Sequence, residues 1–300
     1  MLKYMFIGLV LFCTACTKEV DLFSGESAFA YLEKQCSFGP RNPGSKGHAE
    51  CKQYLMAELQ QFADTLFVQE FELIVPGDSK KSTLTNIIAR FNPNAQQQIL
   101  LGAHWDTRPW ADQAFEYKSR PVLGANDGAS GVAVLLELAK MFSNNPPSVG
   151  VSIVLFDAED FGSAGNPKTF ARGSQHFASN LTIAKPDYAI IIDMVGDAEL
   201  SLPIERNSFR QNRKLIKELW GQAADLDLKA FVPSIKHTVF DDHVPLFEIA
   251  GIPSIDIIDF DYPNAYQNYW HTHEDTPDKC TAESLEQVGT LLVHHIYGIK

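Results

Sequence analysis

The sequence predicts an α/β fold, a three-layer sandwich of helices around a mixed, largely parallel sheet. Three observations predict it. Four short runs, 98–102, 151–156, 188–192 and 253–258, are dominated by apolar residues, as strands buried on both faces are. Helical stretches separate them, and strand–helix alternation builds layered α/β domains. Residues able to do chemistry cluster just past the carboxyl ends of these runs, where open α/β sheets bind ligands.

The elements follow in chain order. A polar, mixed segment leads into a first helix over 28–34, and the turn formers of 39–45 (Gly-Pro-Arg-Asn-Pro-Gly-Ser) make a loop. Tyr54, Leu55, Leu59 and Phe62 recur at helical spacing, giving a helix over 47–62. Segments 67–74 and 83–91 alternate as strands do. Between the first two apolar runs, Val132, Leu135, Leu136, Ala139 and Phe142 form one face of a helix over 131–142. Two more amphipathic helices are expected over 207–224 and 282–297. No internal repeat interrupts this order.

Composition limits the function classes. At 45% hydrophobic and 21% charged residues, the 300-residue chain has a substantial core. A net charge of −12 offers no basic stripe to offset phosphate, which excludes nucleic acid as a partner. The first residues read as an export signal over 1–15: Lys3, an apolar stretch through Phe12, then Cys13-Thr14-Ala15-Cys16. This resembles a bacterial lipoprotein signal, with Cys16 as the acylated first residue of a tether over 16–27 and a single catalytic domain over 28–300. Cys13 departs from that pattern, and an ordinary signal peptide or an uncleaved anchor remains the alternative. The lipoprotein reading implies an exported protein, held to a bacterial membrane by lipid at Cys16 only and facing the periplasm. Beyond the signal, Cys36, Cys51 and Cys280 remain. Export permits a Cys36–Cys51 bridge, but the odd count and absent CxxC spacing favour small buried thiols over a metal site.

The chemistry lies in patches far apart in sequence: His104-Trp105-Asp106, Asn126-Asp127-Gly128, Asp157-Ala158-Glu159-Asp160, Asp193-Met194 and Trp270-His271-Thr272. Each alone has a structural explanation; Asp127, for example, is placed to cap the helix that follows it. Acids gathered at one sheet edge would repel without a cation or shared protons. Asp127, Asp160 and His271 offer two oxygens and one nitrogen, a donor set suited to zinc with a fourth position open. Adjacent Glu159 and Asp160 diverge, so one can hold metal while Glu159 serves as general base. His104 and Asp106 are candidates for a second metal site or for outer residues that orient the ligands.

These motifs, with Gly-Pro-Arg-x-Pro-Gly-Ser at 39–45, Asn-Asp-Gly-Ala-Ser-Gly at 126–131 and His-Thr-x-x-Asp-Thr at 271–276, resemble the zinc-dependent exopeptidases of bacterial leucyl aminopeptidase type from about residue 36 onward. Three features are more similar to the glutaminyl-peptide cyclotransferases of that group: Asp241-Asp242-His243-Val244-Pro245-Leu246-Phe247, Trp270 directly before His271, and the aromatic loop 260–270. The resemblance implies a zinc-exopeptidase-like fold, zinc at Asp127, Asp160 and His271, and Glu159 as acid/base. It also implies Asp193 and Asp241 around the reacting amine and Trp270 in the substrate pocket, with Trp105 and Trp110 as further pocket candidates. This chain departs from the family in pairing Glu159 with an aspartate, in carrying Asp256 where animal cyclases have histidine, and in a longer loop before Trp270.

Three readings follow. The first is cyclisation of N-terminal glutamine of peptides or proteins to pyroglutamate, with one zinc. The second is a di-zinc aminopeptidase in which His104 and Asp193 also bind metal and Asp127 bridges. The third is a non-catalytic peptide-binding lipoprotein, against which Glu159 argues.

Overall fold

The computed structural model describes residues 22–74 and 81–299. The signal, Cys16 and the first half of the expected tether lie outside the described residues. Phe23 is already buried, and the first helix, α1, spans Gly25–Cys36, capped by Ser24, whose Oγ accepts the N–H of Ser27. The folded body therefore starts several residues before position 28.

Helix α2 (Lys46–Phe62) leads into a hairpin of β1 (Thr65–Ile74) and β2 (Lys81–Phe91). Then follow β3 (Gln98–His104), α3 (Ala129–Asn144), β4 (Gly150–Phe156), α4 (Arg172–Ser179) and β5 (Tyr188–Asp193). The remaining elements are β6 (Leu202–Ile204), α5 (Arg206–Gln211), α6 (Arg213–Asp225), β7 (Phe231–Ile235), α7 (His243–Glu248), β8 (Ser254–Ile258), a minimal hairpin of β9 (Pro263–Asn264) with β10 (Gln267–Asn268), and α8 (Ala282–Gly298). The helix expected over 207–224 is thus two helices. Asn212 breaks it by turning its side chain onto the N–H of Leu215, capping α6 and ending α5.

The main sheet runs β1-β2-β4-β3-β5-β8. Strands β4, β3, β5 and β8 are mutually parallel, while β1 and β2 join antiparallel at one edge. Alternation along each strand divides the core in two. Ile99, Leu101, Ile190 and Ile192 join the layer holding α1, α3 and α8, whereas Leu100, Ala189, Ile191 and Val154 face Phe177 of α4 and Leu246 of α7. Helices thus cover both faces, which is why the central strands are apolar throughout. Cys36, Cys51 and Cys280 are buried free thiols rather than a bridge.

Candidate metal centre and active site

Parallel strands end together, and that edge carries the site. His104 and Asp193 are the last residues of β3 and β5, and Glu159 and Asp160 follow β4 by three and four residues. Asp127 lies in the turn before α3. It does not cap that helix: Gly128 occupies the cap position at φ 101, and Asp127 turns toward the other acids. A side chain at Gly128 would meet the carbonyl of Asp106 at 2.5 Å, so the turn admits only glycine. Ala158, Met194 and His271 also take left-handed backbone angles. Each is a site residue or its immediate neighbour, where such strain is held by the surrounding structure.

Asp127, Asp160 and His271 converge with ligand atoms within 4.8 Å of one another. His271 Nε2 lies 2.9 Å from Asp160 Oδ1 and 3.6 Å from Asp127 Oδ2. Its Nδ1 faces Asp112 Oδ1 at 3.2 Å. Asp127 Oδ2 and Asp160 Oδ2 are buried without a hydrogen-bond partner, a costly state that a cation relieves. Two carboxylates, an imidazole oriented from behind and an open side toward the cavity fit zinc. His104, Asp127 and Asp193 form a second group within 4.8 Å, His104 Nε2 lying 3.1 Å from both acids. Asp106 stays behind these groups, 3.4 Å from His104 Nδ1, and accepts the backbone N–H groups of Glu159 and Asp160.

Burial sets the charges here. Glu159 is held well above the usual carboxylate range by burial first, then by the charges of Asp160 and Asp241. Burial and the charge of Asp160 push Asp127 up to about 7. Burial works the same way on Asp160, but the His271 charge and hydrogen bond overcome it and bring Asp160 down to about 2. His271 is raised to about 9, because the neighbouring acids outweigh its burial. Asp112 falls below the normal range: burial opposes this, and His271 and Arg108 prevail.

A cavity of about 360 Å³ opens onto these groups. Asp127, Glu159, Asp160, Asp193 and Asp241 line its acidic end, and Phe170, Phe240, Ile258, Phe260 and Trp270 its apolar wall. Trp270 stacks on His271 with ring centroids 3.8 Å apart. Two expectations need correction. Trp105 is fully buried, stacked on His48 and bonded to the carbonyl of Thr85, so it belongs to the core. Trp110 does not line the cavity; it lies against the guanidinium of Arg108.

Several residues that the sequence alone did not single out hold the site. Asp275, four residues past His271, accepts the N–H groups of Asn126 and Asp127 and the hydroxyl of Tyr262, tying two ligand loops together. Buried Arg41 donates to the carbonyls of Trp105, Leu123 and Gly124. That gives the 39–45 loop a role in fixing the loop that carries Asp127. Behind the pocket floor, Asp241, His243 and Asp256 approach one another, with His243 Nε2 3.3 Å from Glu205. The spacing of Asp275 within His-Thr-x-x-Asp was a signal for it, as was the place of Arg41 in Gly-Pro-Arg-x-Pro-Gly-Ser; Glu205 left none, because its imidazole partner, His243, is distant in the sequence.

Comparisons with known proteins give the family and the fold. The profile of peptidase family M28 matches residues 86–296. The crystal structure of a Bacteroides thetaiotaomicron glutaminyl cyclase bound to N-acetylhistamine superposes with a TM-score of 0.89 at 33% identity, covering 94% of this chain and all of that one (100%). A zinc-dependent exopeptidase from Parabacteroides distasonis does so with a TM-score of 0.89 at 34% identity, covering 93% and 99%. The glutaminyl-peptide cyclotransferase of Bos taurus is 22% identical over 292 residues, 84% of this chain and 76% of the relative. The strand-end acids, the His271 centre and these matches lead to one conclusion: the chain belongs to peptidase family M28.

Proposed function

We propose that this enzyme converts the N-terminal glutamine of peptides or proteins to pyroglutamate with release of ammonia. The observation that carries the reading is the cavity itself. Glu159 and Asp241 stand at its acidic end beside Asp127, Asp160 and His271, and an aromatic wall leaves about 360 Å³, room for one compact residue. Similarity to glutaminyl cyclases supports the same reading.

Asp127, Asp160 and His271 would hold one zinc ion, which supplies Lewis-acid polarisation of the glutamine side-chain amide. Glu159 takes a proton from the α-amine as that nitrogen attacks the amide carbon, then gives one to the departing ammonia. Its elevated proton affinity suits a group that must both accept and return a proton. Asp193 and Asp241 accept hydrogen bonds from the amine and set its approach. Trp270 and Phe260, 5.2 Å apart, hold the flat side chain and exclude water. Nucleophile and electrophile belong to one residue, so positioning supplies much of the rate.

The second group, His104, Asp127 and Asp193, favours one rival: a di-zinc aminopeptidase with Asp127 bridging. Offering the purified protein a Gln-initiated and a Leu-initiated peptide separates the two. Ammonia loss from the first, an untouched second and one zinc per chain support the cyclase; free amino acids and two zincs refute it. Export and lipid attachment at Cys16 belong to the same proposal. No helix among the described residues is long and apolar enough to cross a membrane. Cys16→Ser should release the protein from the membrane fraction, and continued attachment would rule out the anchor.

A further inference from the structure

We infer that Arg108 and Asp112 form a positioning pair that sets the distance between His271 and Asp160 and thereby the affinity for zinc. Arg108 is buried, and all three of its guanidinium nitrogens donate hydrogen bonds. Nε and Nη2 donate to the two oxygens of Asp112 at 3.2 and 2.8 Å. Nη1 donates to the carbonyls of Asp160 and Gly162, both at 2.7 Å. Asp112 Oδ1, so gripped, faces His271 Nδ1 at 3.2 Å, leaving Nε2 turned toward Asp160 and Asp127. One planar cation thus holds the backbone of one ligand directly and fixes the carboxylate that faces the ring of another. The guanidinium lies against Trp110 and Phe170, with ring centroids 4.7 and 5.2 Å away, which fixes its plane.

A carboxylate on the far nitrogen of a metal-binding imidazole fixes the tautomer and raises its basicity, and losing one lowers metal affinity roughly tenfold to a hundredfold. Lysine cannot replace arginine here, since one ammonium cannot grip both carboxylate oxygens and also reach two carbonyls. The pair also explains Trp110, whose packing serves the guanidinium rather than the substrate.

This inference rests on the zinc assignment to His271 and Asp160, and the experiment separates the two. Zinc affinity is measured on the full chain by competition with a chromogenic chelator for Asp112→Asn, Arg108→Lys, Arg108→Ala and His271→Ala. Asp112→Asn and Arg108→Lys are expected to weaken zinc binding roughly tenfold to a hundredfold, with excess zinc restoring occupancy. The Asp112→Asn/Arg108→Lys double variant should be no weaker than Arg108→Lys alone, because Asp112 acts only within the contacts that Arg108 holds. If Arg108→Ala does not fold, Asp112→Asn, at a partly exposed position, carries the test alone. Unchanged affinity in Asp112→Asn, with zinc lost in His271→Ala, overturns the positioning role alone. Zinc retained in His271→Ala overturns the ligand assignment as well.

Discussion

Replacing Glu159 by glutamine tests the proposed chemistry most directly. The side chain is 7% exposed, and its backbone N–H is fixed by Asp106, an interaction that glutamine keeps. Burial and the nearby charges of Asp160 and Asp241 already penalise the charged carboxylate at Glu159, and glutamine has nearly the same shape, so the neutral amide is a close structural substitute. Stability and zinc content should therefore remain those of the wild type. What the variant lacks is a site that accepts and returns a proton. A positioned acid/base contributes about 10²- to 10⁴-fold, or about 2.7 to 5.4 kcal/mol of barrier at roughly 1.36 kcal/mol per tenfold. Ammonia release from a Gln-initiated peptide, followed with zinc measured on the same sample, gives the result. Turnover near the wild-type rate in the zinc-loaded variant would refute the role of Glu159, and loss of zinc would show it to be a ligand instead.

Other outcomes follow from the same geometry. Asp160→Ala should lose zinc, since it removes one of two carboxylates; near-normal metal content by mass spectrometry would remove Asp160 from the ligand set. Trp270→Ala should raise KM for Gln-initiated peptides with little change in melting temperature, because the ring is half-buried at the pocket wall. A large fall in melting temperature with normal kinetics would make it a core residue. The chelator-treated protein should lose stability as pH rises from 5 to 8. Burial raises Asp259 from 3.8 to about 7, against the pull of the Ser201 and Asp261 N–H bonds. A raised carboxylate favours the fold fully below its unfolded pKa, and this contribution is lost as pH climbs through the folded one, here roughly 4 kcal/mol at most. Asp127, near 7, and His271, near 9, act in the same direction. A urea midpoint that stays flat or rises over that range would contradict the sign.

The strand edge was legible because local pattern encodes it. Apolar runs such as 188–192 must be buried on both faces, and a polar residue ending such a run can only emerge at the sheet rim, as Asp193 does. Asp160, and Asp127 in the turn before a helix, could be grouped from this placement before any distance was known, whereas His271 joined them through donor chemistry and family resemblance; the structure brings ligand atoms of all three within 4.8 Å. The tryptophans were less legible. Trp105 and Trp270 both neighbour a site histidine, yet one points into the core and the other into the pocket.

The sequence by itself determined the layered α/β class, the strands of the main sheet, most of the long helices and which acids stand at the rim, because side-chain periodicity and turn chemistry act over a few residues. Tertiary structure alone decided what those acids touch. It joined Arg108 to Asp160 and, through Asp112, to His271, turned Asp127 away from its helix, and placed Asp275 between two loops. The physical reason is that a buried charge is stable only where distant chain segments bring it partners, and no short stretch of sequence contains them.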